Sequence, residues 1–240
     1  MTTDNGPQVV AVVHAKGYSE RVPGKNLRML GDRPLVGHAI RNAQQVGKID
    51  VVVIDSDSDE ILRVGESFGA VPWKRPAGLA TNDTTGDDLA YWQSLLYPDA
   101  KILVQVVPTC PFTRPASIQR AISAIGGGIL HDSAVGVISA PLYIWEALKP
   151  AYHRPQGRIP NSQEMEATFY ETTGLYAVTV KYALSAHRRV SPGVVPVFQY
   201  PIEAIDINTE ADWELAKYIW AGMQALKGTR TGIQTPKGAA

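Results

Sequence analysis

A polar, basic segment follows the first apolar run of the chain. Residues 14–26 contain two glycines together with Lys16, Arg21, Lys25 and, when protonated, His14. Cations beside glycines, where backbone N–H groups can approach an anion closely, are typical of phosphate-binding loops. The segment matches neither G-x-G-x-x-G nor G-x-x-x-x-G-K-[ST], so the two commonest nucleotide fingerprints are absent. A nicotinamide-dependent oxidoreductase is therefore disfavoured, and a solvated basic loop is the alternative interpretation.

Short apolar runs alternate with amphipathic segments along most of the chain. The apolar runs are Val9 to His14, Val51 to Ile54, Ile102 to Val107, Ala134 to Ser139 and Leu175 to Thr179, and the helical segments are Leu35 to Val46, Ser58 to Phe68, Asp87 to Tyr97 and Arg114 to Ile125. This alternation predicts an α/β fold with a doubly wound, mainly parallel, Rossmann-like sheet. Ligands of such sheets bind beyond the carboxyl ends of the strands, where the basic segment lies.

Composition narrows the class of protein. The chain has 240 residues, 45% hydrophobic and 19% charged, which predicts one globular domain over residues 8–226. Lys plus Arg and Asp plus Glu are 23 each, so no basic field attracts nucleic acid or anionic lipid. No apolar run approaches the ~20 residues of a membrane span. A polar N-terminus and the single cysteine, Cys110, favour a cytoplasmic protein in which Cys110 is a buried residue and not a nucleophile.

Two segments depart from the alternating pattern. Residues 140–172 carry the aromatics Tyr143, Trp145, Tyr152, Phe169 and Tyr170 and are too long for an ordinary connection. We expect a protruding arm that forms a homodimer, with a packed loop as the alternative. Near the C-terminus, Thr209 predicts the N-cap of a last helix, residues 210–225, and the composition of residues 227–240 predicts a disordered tail.

Several motifs occur in an order that resembles the CMP-sialic acid synthetase family of cytidylyltransferases. They are Ala15-Lys16-Gly17-x-Ser19-x-Arg21-x-Pro23-Gly24-Lys25-Asn26, Asp55-Ser-Asp-Ser-Asp59, Lys74-Arg75-Pro76-Ala77-x-Leu79-Ala80-Thr81, Pro108-Thr-Cys-Pro-Phe112, Tyr170-x-x-x-Gly174-x-Tyr176 and Ile205-Asp206-Ile207-Asn208-Thr209. The resemblance spans about residues 9 to 225. It implies transfer of a cytidylyl group from CTP to an acidic acceptor, with release of pyrophosphate.

The resemblance also implies roles for individual residues. Lys16, Lys25 and Asp206 would be catalytic: the two lysines would bind the triphosphate, and Asp206 with Asn208 would bind Mg²⁺. Lys16 replaces the usual arginine and Asn208 replaces the second aspartate of a D-x-D pattern, which leaves a noncatalytic nucleotide-binding module as an alternative. The acidic cluster of residues 55–59 is interpreted as a strand end and a helix N-terminus.

The nucleotide and acceptor sites follow from the same motifs. The predicted nucleotide-binding residues are Ala15, Gly17, Ser19, Arg21, Asn26, Arg75, Thr84 and Thr85, and the predicted acceptor-binding residues are Arg114, Arg158, Gln163 and Tyr170. Asn26 and Arg75 would read the cytosine, whereas the threonine run could equally cap a helix. Val107 stands where sialic-acid enzymes have Gln, so we expect another nonulosonic or an octulosonic acid, or a small carboxylate or phosphonate, in place of N-acetylneuraminate.

Overall fold

A seven-stranded sheet forms the centre of the structure, a computed structural model that describes residues 6–126, 131–140, 143–150, 161–164 and 167–231. The strands are β1 (Val9–Ala15), β2 (Met29–Leu30), β3 (Arg33–Pro34), β4 (Val51–Ser56), β5 (Val71–Lys74), β6 (Ile102–Val106), β7 (Ser133–Ala140), β8 (Trp145–Glu146), β9 (Lys149–Pro150), β10 (Thr168–Thr179) and β11 (Val195–Phe198). The helices are α1 (Leu35–Gln44), α2 (Asp59–Ser67), α3 (Gly86–Ser94), α4 (Pro115–Ile125), α5 (Val180–Ala186) and α6 (Glu210–Thr231).

The central sheet has the strand order β11-β7-β10-β6-β1-β4-β5. Its neighbours pair in parallel except along β10, which is antiparallel to both β6 and β7. Helices cover both faces: α1, α2 and α4 contribute to the core that contains Val13, whereas α3 and α5 contribute to the core that contains Val12. The predicted mainly parallel, doubly wound fold is confirmed.

The two edge strands of the sheet were not predicted from the apolar runs. Each contains a proline, Pro72 in β5 and Pro196 in β11. Proline lacks the N–H group that a central strand needs and is tolerated at a sheet edge. Uninterrupted apolar runs therefore identified the central strands. The two edge strands are short and interrupted by proline, so they do not form such runs.

Strand β10 begins earlier than predicted and shortens the expected arm. Residues 168–171 already pair with β7, so Phe169 lies opposite Ser139 and Tyr170 lies opposite Ile138. The segment is rich in Thr and aromatic residues, which suit a half-exposed strand but do not form an apolar run. Phe169 and Tyr170 therefore lie on this strand and are exposed there, and their part in a dimer arm stays a prediction. The described part of the arm is the hairpin β8–β9, and Tyr152 lies outside the described residues.

Helix α6 extends beyond its predicted end. Thr209 caps it as expected, because its hydroxyl accepts from Asp212 N while the Asp212 carboxylate accepts from Thr209 N. The backbone helix continues to Thr231, beyond the predicted end at residue 225. The predicted disorder of the tail stays a prediction, and residues 232–240 lie outside the described residues. A single glycine in this stretch costs about 1 kcal/mol and does not end a helix by itself. Within the described ranges, no helix combines the length and apolarity needed to cross a bilayer.

Two helical glycines offer a matched test of the packing between α2 and the sheet. A Cβ atom on Gly65 would lie 2.6 Å from Cγ2 of Ile54, whereas a Cβ atom on Gly222 in α6 would meet nothing within 4 Å. We expect Gly65→Ala to lower the free energy of unfolding by about 1–3 kcal/mol through overpacking. Gly222→Ala should raise it by about 0.5–1 kcal/mol because alanine favours helix. Urea denaturation measures both, and equal shifts would contradict the packing.

Candidate active site

The loop after β1 is fixed against the loop after β4. Gly17 N donates to Asp57 Oδ1 at 2.8 Å, and a Cβ atom on Gly17 would lie 2.9 Å from the Ser58 Cβ. Ala15 is buried at the end of β1, and Ser19 is half-buried within the loop. Asp57 therefore anchors the loop backbone, a role that the interpretation of the acidic cluster as a helix N-terminus did not include.

Lys16 joins the first loop to the segment before α3. Its Nζ donates to Asn82 Oδ1 at 2.6 Å, and Asn82 in turn donates to Glu20 Oε1 at 3.2 Å. The Lys16 carbonyl oxygen accepts from Asn26 Nδ2 at 2.9 Å. The predicted triphosphate lysine thus lies at the carboxyl edge of the sheet, between the two loops predicted to hold the nucleotide.

Lys25 connects the first loop to the last one. It follows Gly24, whose φ of 64° lies in the left-handed region that glycine adopts without strain. Its Nζ donates to the Ile207 carbonyl oxygen at 2.8 Å. Burial lowers the pKa of Lys25, and the nearby Asp206 carboxylate opposes this shift. The ammonium is therefore held half-buried beside a carboxylate, where low dielectric strengthens its field.

Asp206 combines an engaged oxygen with an unpaired one. Oδ2 accepts from Asn208 Nδ2 at 2.7 Å and from Thr173 Oγ1 at 3.2 Å, whereas Oδ1 is buried without a hydrogen-bond partner. The Asn208 oxygen faces Arg21, which donates to it at 2.9 Å. Of the two predicted metal ligands, Asp206 thus offers a free oxygen, and Asn208 holds Asp206 and Arg21 together.

Thr173 is a site residue that the sequence did not identify. It has a φ of 58°, in the left-handed region, and lies where the pairing of β10 with β7 shifts register between Glu171 and Tyr176. At the bulge the Thr173 hydroxyl lies 2.7 Å from the Thr172 carbonyl oxygen and 3.2 Å from Asp206 Oδ2, so these two acceptors share its hydrogen. The Thr-Thr-Gly sequence within β10 was the available signal, since bulges near active sites re-aim side chains. Gly174 beside it packs on Cys110, which is buried as predicted.

Asn26 is poised to accept one hydrogen bond. Only 7% of the residue is exposed, its amide nitrogen is bound to the Lys16 carbonyl, and its Oδ1 is buried without a partner. A buried polar atom left unpaired costs about 1–3 kcal/mol. The Asn26 oxygen therefore favours a ligand that carries an N–H or O–H donor.

Arg75 is committed to a buried ion pair. Its Nε donates to Asp55 Oδ1 at 3.0 Å, and its Nη2 donates to the Asp55 carbonyl oxygen at 3.0 Å. Arg75 is 4% exposed and Asp55 is 0% exposed. In this arrangement Arg75 neutralises Asp55 at the end of β4. Its predicted contact with cytosine stays a prediction.

His14 does not add positive charge to the phosphate-binding loop. Burial, together with the nearby Arg75 and Arg189 guanidiniums, lowers its pKa to about 3. The ring is therefore neutral near pH 7, and its Nδ1 is buried without a partner. The charge of the loop comes from Lys16, Lys25 and Arg21.

The threonines before α3 bond within their own segment. Thr85 is the N-cap of α3 and forms a capping box with Asp88, whose carboxylate accepts from Thr85 N at 2.8 Å. The hydroxyls of Thr81 and Thr84 lie 3.0 Å apart. The helix-cap interpretation is confirmed for Thr85, and nucleotide binding by Thr84 and Thr85 stays a prediction.

The predicted acceptor residues are dispersed. Arg114 begins α4 with its guanidinium 4.6 Å from the Tyr200 ring centre, Tyr170 is exposed on β10, and Gln163 is exposed in a short turn. Within the described ranges, no hydrogen bond joins these three side chains. Arg158 lies outside the described residues. The structure therefore brings together the predicted phosphate and metal residues but does not assemble the predicted acceptor residues.

Comparisons with known proteins identify the family of the chain. A model of the family described as Cytidylyltransferase matches residues 10–128. The chain is 32% identical over 230 residues to the CMP-N,N'-diacetyllegionaminic acid synthase of Legionella pneumophila, covering 88% of this chain and 95% of that protein. It is 23% identical over 218 residues to the N-acylneuraminate cytidylyltransferase of Oncorhynchus mykiss, covering 87% of this chain and 49% of that protein.

A solved structure shows the same fold. The CMP:2-keto-3-deoxy-manno-octonic acid synthetase complexed with CTP superposes with a TM-score of 0.68 at 16% identity, covering 90% of this chain and 99% of that one. The matched family model and the similar proteins identify the chain as a nucleotidyltransferase. The chain belongs to the cytidylyltransferase family and is similar to the CMP-sialic acid synthetases within it. It is a CTP-dependent enzyme of a family that uses a divalent metal ion.

The neutral state of His14 predicts a dependence of stability on pH. The unfolded chain binds a proton at His14 below pH 6.5, whereas the folded chain does so only near pH 3. The contribution of His14 to stability should therefore be complete above pH 6.5 and decline as the pH falls toward 3. We expect the difference in unfolding free energy between wild type and His14→Gln to fall across this window in urea titrations. His131→Gln, at an exposed histidine, is the control, and a constant difference would contradict a buried neutral ring.

Proposed function

We propose that the protein transfers the cytidylyl group of CTP to an acidic acceptor, a nonulosonic or octulosonic sugar acid, and releases pyrophosphate. The observation that carries the proposal is the convergence of Arg21 and Lys25 with Asp206 and Asn208, which are about 180 residues away in the chain. The names of the similar proteins support an acceptor of this class. The nucleotide substrate and the single free thiol support a cytoplasmic location.

In this reaction an acceptor oxygen attacks the α-phosphorus of CTP and the bond to the pyrophosphate oxygen breaks. Negative charge grows on the α-phosphate and on the departing pyrophosphate, so fixed cations lower the barrier. Lys25 and Lys16 approach from the first loop, and Arg21 lies beside them. Their positions are set by bonds to Ile207, Asn82 and Asn208 and therefore need little reorganisation.

Mg²⁺ is the metal that suits the residues present. Within the described ranges, no group of three or more His, Cys, Asp or Glu side chains could hold a metal ion. Mg²⁺ often binds through one or two carboxylates together with substrate phosphates and water. The buried, unpaired Oδ1 of Asp206 fits such a ligand. When bound, the ion would neutralise phosphate charge, while Asn208 and Thr173 hold the other oxygen of Asp206.

Base selection is proposed to depend on Asn26. The exocyclic N4 amino group of cytosine is a hydrogen-bond donor, and the buried Oδ1 of Asn26 is an acceptor without a partner. Uracil carries a carbonyl oxygen at the same place and would leave two acceptors facing each other. This difference supports a preference for CTP over UTP.

A smaller acceptor is a second candidate. Val107 removes a polar contact where sialic-acid enzymes carry Gln. The cavity beside Thr85 and Tyr176 has a volume of about 250 Å³, just below the ~300–1,000 Å³ typical of ligand pockets. A compact carboxylate or phosphonate would fit this volume with fewer polar partners than a full sugar acid.

The proposed reaction is tested by pyrophosphate release from CTP with a panel of acids. The panel contains 3-deoxy-manno-octulosonate, N,N'-diacetyllegionaminate, N-acetylneuraminate, phosphonoformate and phosphonoacetate. We expect release with at least one acid other than N-acetylneuraminate, dependent on Mg²⁺ and lost in EDTA. Comparable rates with ATP or UTP would contradict the base assignment. Binding of CTP without release from any acid would favour the noncatalytic module.

Lys25 gives a quantitative test of the electrostatic contribution. Its ammonium is fixed by the Ile207 carbonyl next to the proposed triphosphate position. We expect Lys25→Ala to lower kcat by about 100-fold or more, as for loss of a positioned charge that stabilises a transition state. Lys48→Ala, at an exposed lysine before β4, is the matched control. A folded Lys25→Ala enzyme with an unchanged rate would reject this role.

The β8–β9 hairpin is proposed to form a homodimer contact. It exposes 61% of Trp145 and 93% of Leu148, and its two turn residues, Ala147 and Leu148, both have positive φ. Large apolar side chains held out from a domain cost free energy unless a partner covers them. A second copy of the chain, related by twofold symmetry, would cover both hairpins at once.

Solution mass tests the hairpin contact. We expect light scattering to give twice the 26.0 kDa chain mass for the wild type. The double variant Trp145→Ser, Leu148→Ser should be monomeric, because burial of apolar area drives such contacts. Tyr218→Ser, at an aromatic residue of α6 that is 75% exposed, is the control and should leave the mass unchanged. A monomeric wild type would refute the dimer.

A further inference from the structure

One face of the central sheet changes from apolar to polar at its carboxyl edge. On the face that α3 and α5 cover, β1 buries Val12 and then presents His14, while β6 buries Leu103 and then presents Gln105. Side chains two residues apart on a strand share a face. Asp55 of β4 lies opposite His14 in the register. A row of polar side chains thus runs across the sheet beneath the candidate active site.

Buried amides link the members of this row. Gln93 Nε2 donates to Asp55 Oδ2 at 2.7 Å, and Gln105 Nε2 donates to Gln93 Oε1 at 2.8 Å. Arg189 Nη1 then donates to Gln105 Oε1 at 3.3 Å. Asp55, Gln93 and Gln105 are each at most 1% exposed. The bond to Asp55 orients the amide of Gln93, and Gln93 in turn orients the amide of Gln105. The Gln105 Oε1 atom therefore faces Arg189 and holds its guanidinium in place.

Packing holds Arg189 in one place. Its guanidinium carbon lies 3.6 Å from the centre of the Tyr176 ring. A Cβ atom on Gly86 would lie 2.2 Å from that same carbon, so the absence of a side chain at Gly86 makes room for Arg189. The Arg189 backbone N–H donates to Asp87 Oδ1 at 2.9 Å. The guanidinium is therefore held between Tyr176 and Gly86, and the Arg189 backbone is held by Asp87.

Arg189 lacks the counter-ion that the other arginine of this row has. Arg75 pairs with Asp55 at 3.0 Å. Within the described ranges, no carboxylate oxygen lies within 4.0 Å of the Arg189 guanidinium nitrogens. A half-buried cation without an anion is costly unless a ligand supplies one. The preorganised guanidinium shares its cavity with the Asp87 and Glu171 side chains but forms no ion pair with them, so it is available to an anionic ligand.

A cavity opens beside this guanidinium. It has a volume of about 250 Å³, and Arg189, Tyr176, Glu171, Thr85 and Gly86 contribute to its walls. Thr85 and Gly86 continue the segment that Lys16 contacts through Asn82, and β10 carries Thr173, which bonds Asp206. The cavity thus borders elements of the nucleotide side and of the metal side.

We propose that Arg189 binds the acidic group of the acceptor in this cavity and is the residue that selects an acid. The inference rests on the proposed transfer to an acidic acceptor and adds a binding residue that the sequence did not indicate. The Glu171 carboxylate, which accepts from the Tyr176 hydroxyl at 2.8 Å, provides the opposite wall. A hydroxyl or amino group of the acceptor would bind there while Arg189 holds its acid.

Carboxylate and phosphonate groups are both anions that a guanidinium such as that of Arg189 can bind. A guanidinium forms two parallel hydrogen bonds with either group. Loss of a hydrogen bond to a charged group costs about 1.5–3 kcal/mol, which corresponds to about 10- to 150-fold in affinity. The sugar acids and the phosphonates of the panel separate the two sources, because only one class should show turnover that depends on Arg189.

The test compares Arg189→Met with Arg188→Met, its exposed neighbour. With whichever panel acid the wild type uses, we expect Arg189→Met to raise KM for the acid by about 10- to 150-fold. KM for CTP should stay unchanged, and Arg188→Met should match the wild type. Arg189→Lys retains the positive charge but cannot form two parallel hydrogen bonds. Its KM for the acid should lie between those of the wild type and Arg189→Met. Equal rises in both KM values would overturn the proposal, because they indicate a structural role.

A neutral analogue of the acid identifies the group that Arg189 reads. The wild type should bind the carboxamide of the acid, or the dimethyl ester for a phosphonate, more weakly than the acid itself by calorimetry. Arg189→Met should bind both equally. A variant that still discriminates as the wild type does would overturn the proposal. If Arg189→Met does not fold, the same comparison with Arg189→Lys decides, since reduced discrimination is expected there too.

Calorimetry also separates this inference from the proposed function. Binding of an acid that depends on Arg189, without any pyrophosphate release, would contradict cytidylyl transfer and leave the anion site standing. Pyrophosphate release that is insensitive to Arg189 substitution would support transfer and overturn the anion site. If none of the panel acids binds the wild type in the presence of CTP, the assignment of Arg189 to this class of ligand is wrong.

Discussion

The hydrogen bond from Lys25 to the Ile207 carbonyl joins the two ends of the fold at one point. Lys25 enters from the loop after β1 and Ile207 from the segment that precedes α6, 182 residues later. Each loop lacks part of the chemistry: the first has cations without a metal ligand, and the second has Asp206 without a cation. A parallel sheet makes their meeting possible because its strands end at the same edge. The antiparallel β10 adds Thr173 to that edge through its bulge.

The positive charge at the carboxyl edge of the sheet comes from a few residues, and burial affects how readily each of them is protonated. The chain as a whole has no net charge, so attraction of a triphosphate depends on a few positioned cations. His14, in β1 itself, is neutral near pH 7 and is not one of these cations. Lys25 has Asp206 beside it, whereas His14 has Arg75 and Arg189 as its charged neighbours. Burial is the largest cause of both pKa shifts, and the neighbouring charges oppose it at Lys25 and reinforce it at His14.

Sequence patterns predicted the parts of the fold that depend on apolar continuity and local capping. The central strands and the cap at Thr209 belong to this group. Patterns could not predict β5 and β11, whose prolines are tolerated only because both strands lie at edges. They also missed Thr173 and Arg189, since both owe their place to tertiary contacts: Thr173 to a register shift, and Arg189, in the loop after α5, to Gly86 at the start of α3. Motif resemblance indicated Asp206 and Asn208, but only the geometry shows that their side chains bond each other.

The buried amides of Gln93 and Gln105 lie between two guanidiniums, those of Arg75 and Arg189, that have different roles. Arg75 is neutralised within the protein, and Arg189 is left to a ligand. The two glutamine amides orient their neighbours by hydrogen bonds but have no net charge. A substitution near Arg189 need not disturb the Arg75–Asp55 ion pair at the end of β4. Because the nucleotide side is fixed by bonds to Asn82, Ile207 and Asn208 instead, the two halves of the site are held by different contacts. A fold built this way can keep its phosphate chemistry while the residues around Arg189 adapt to another acid.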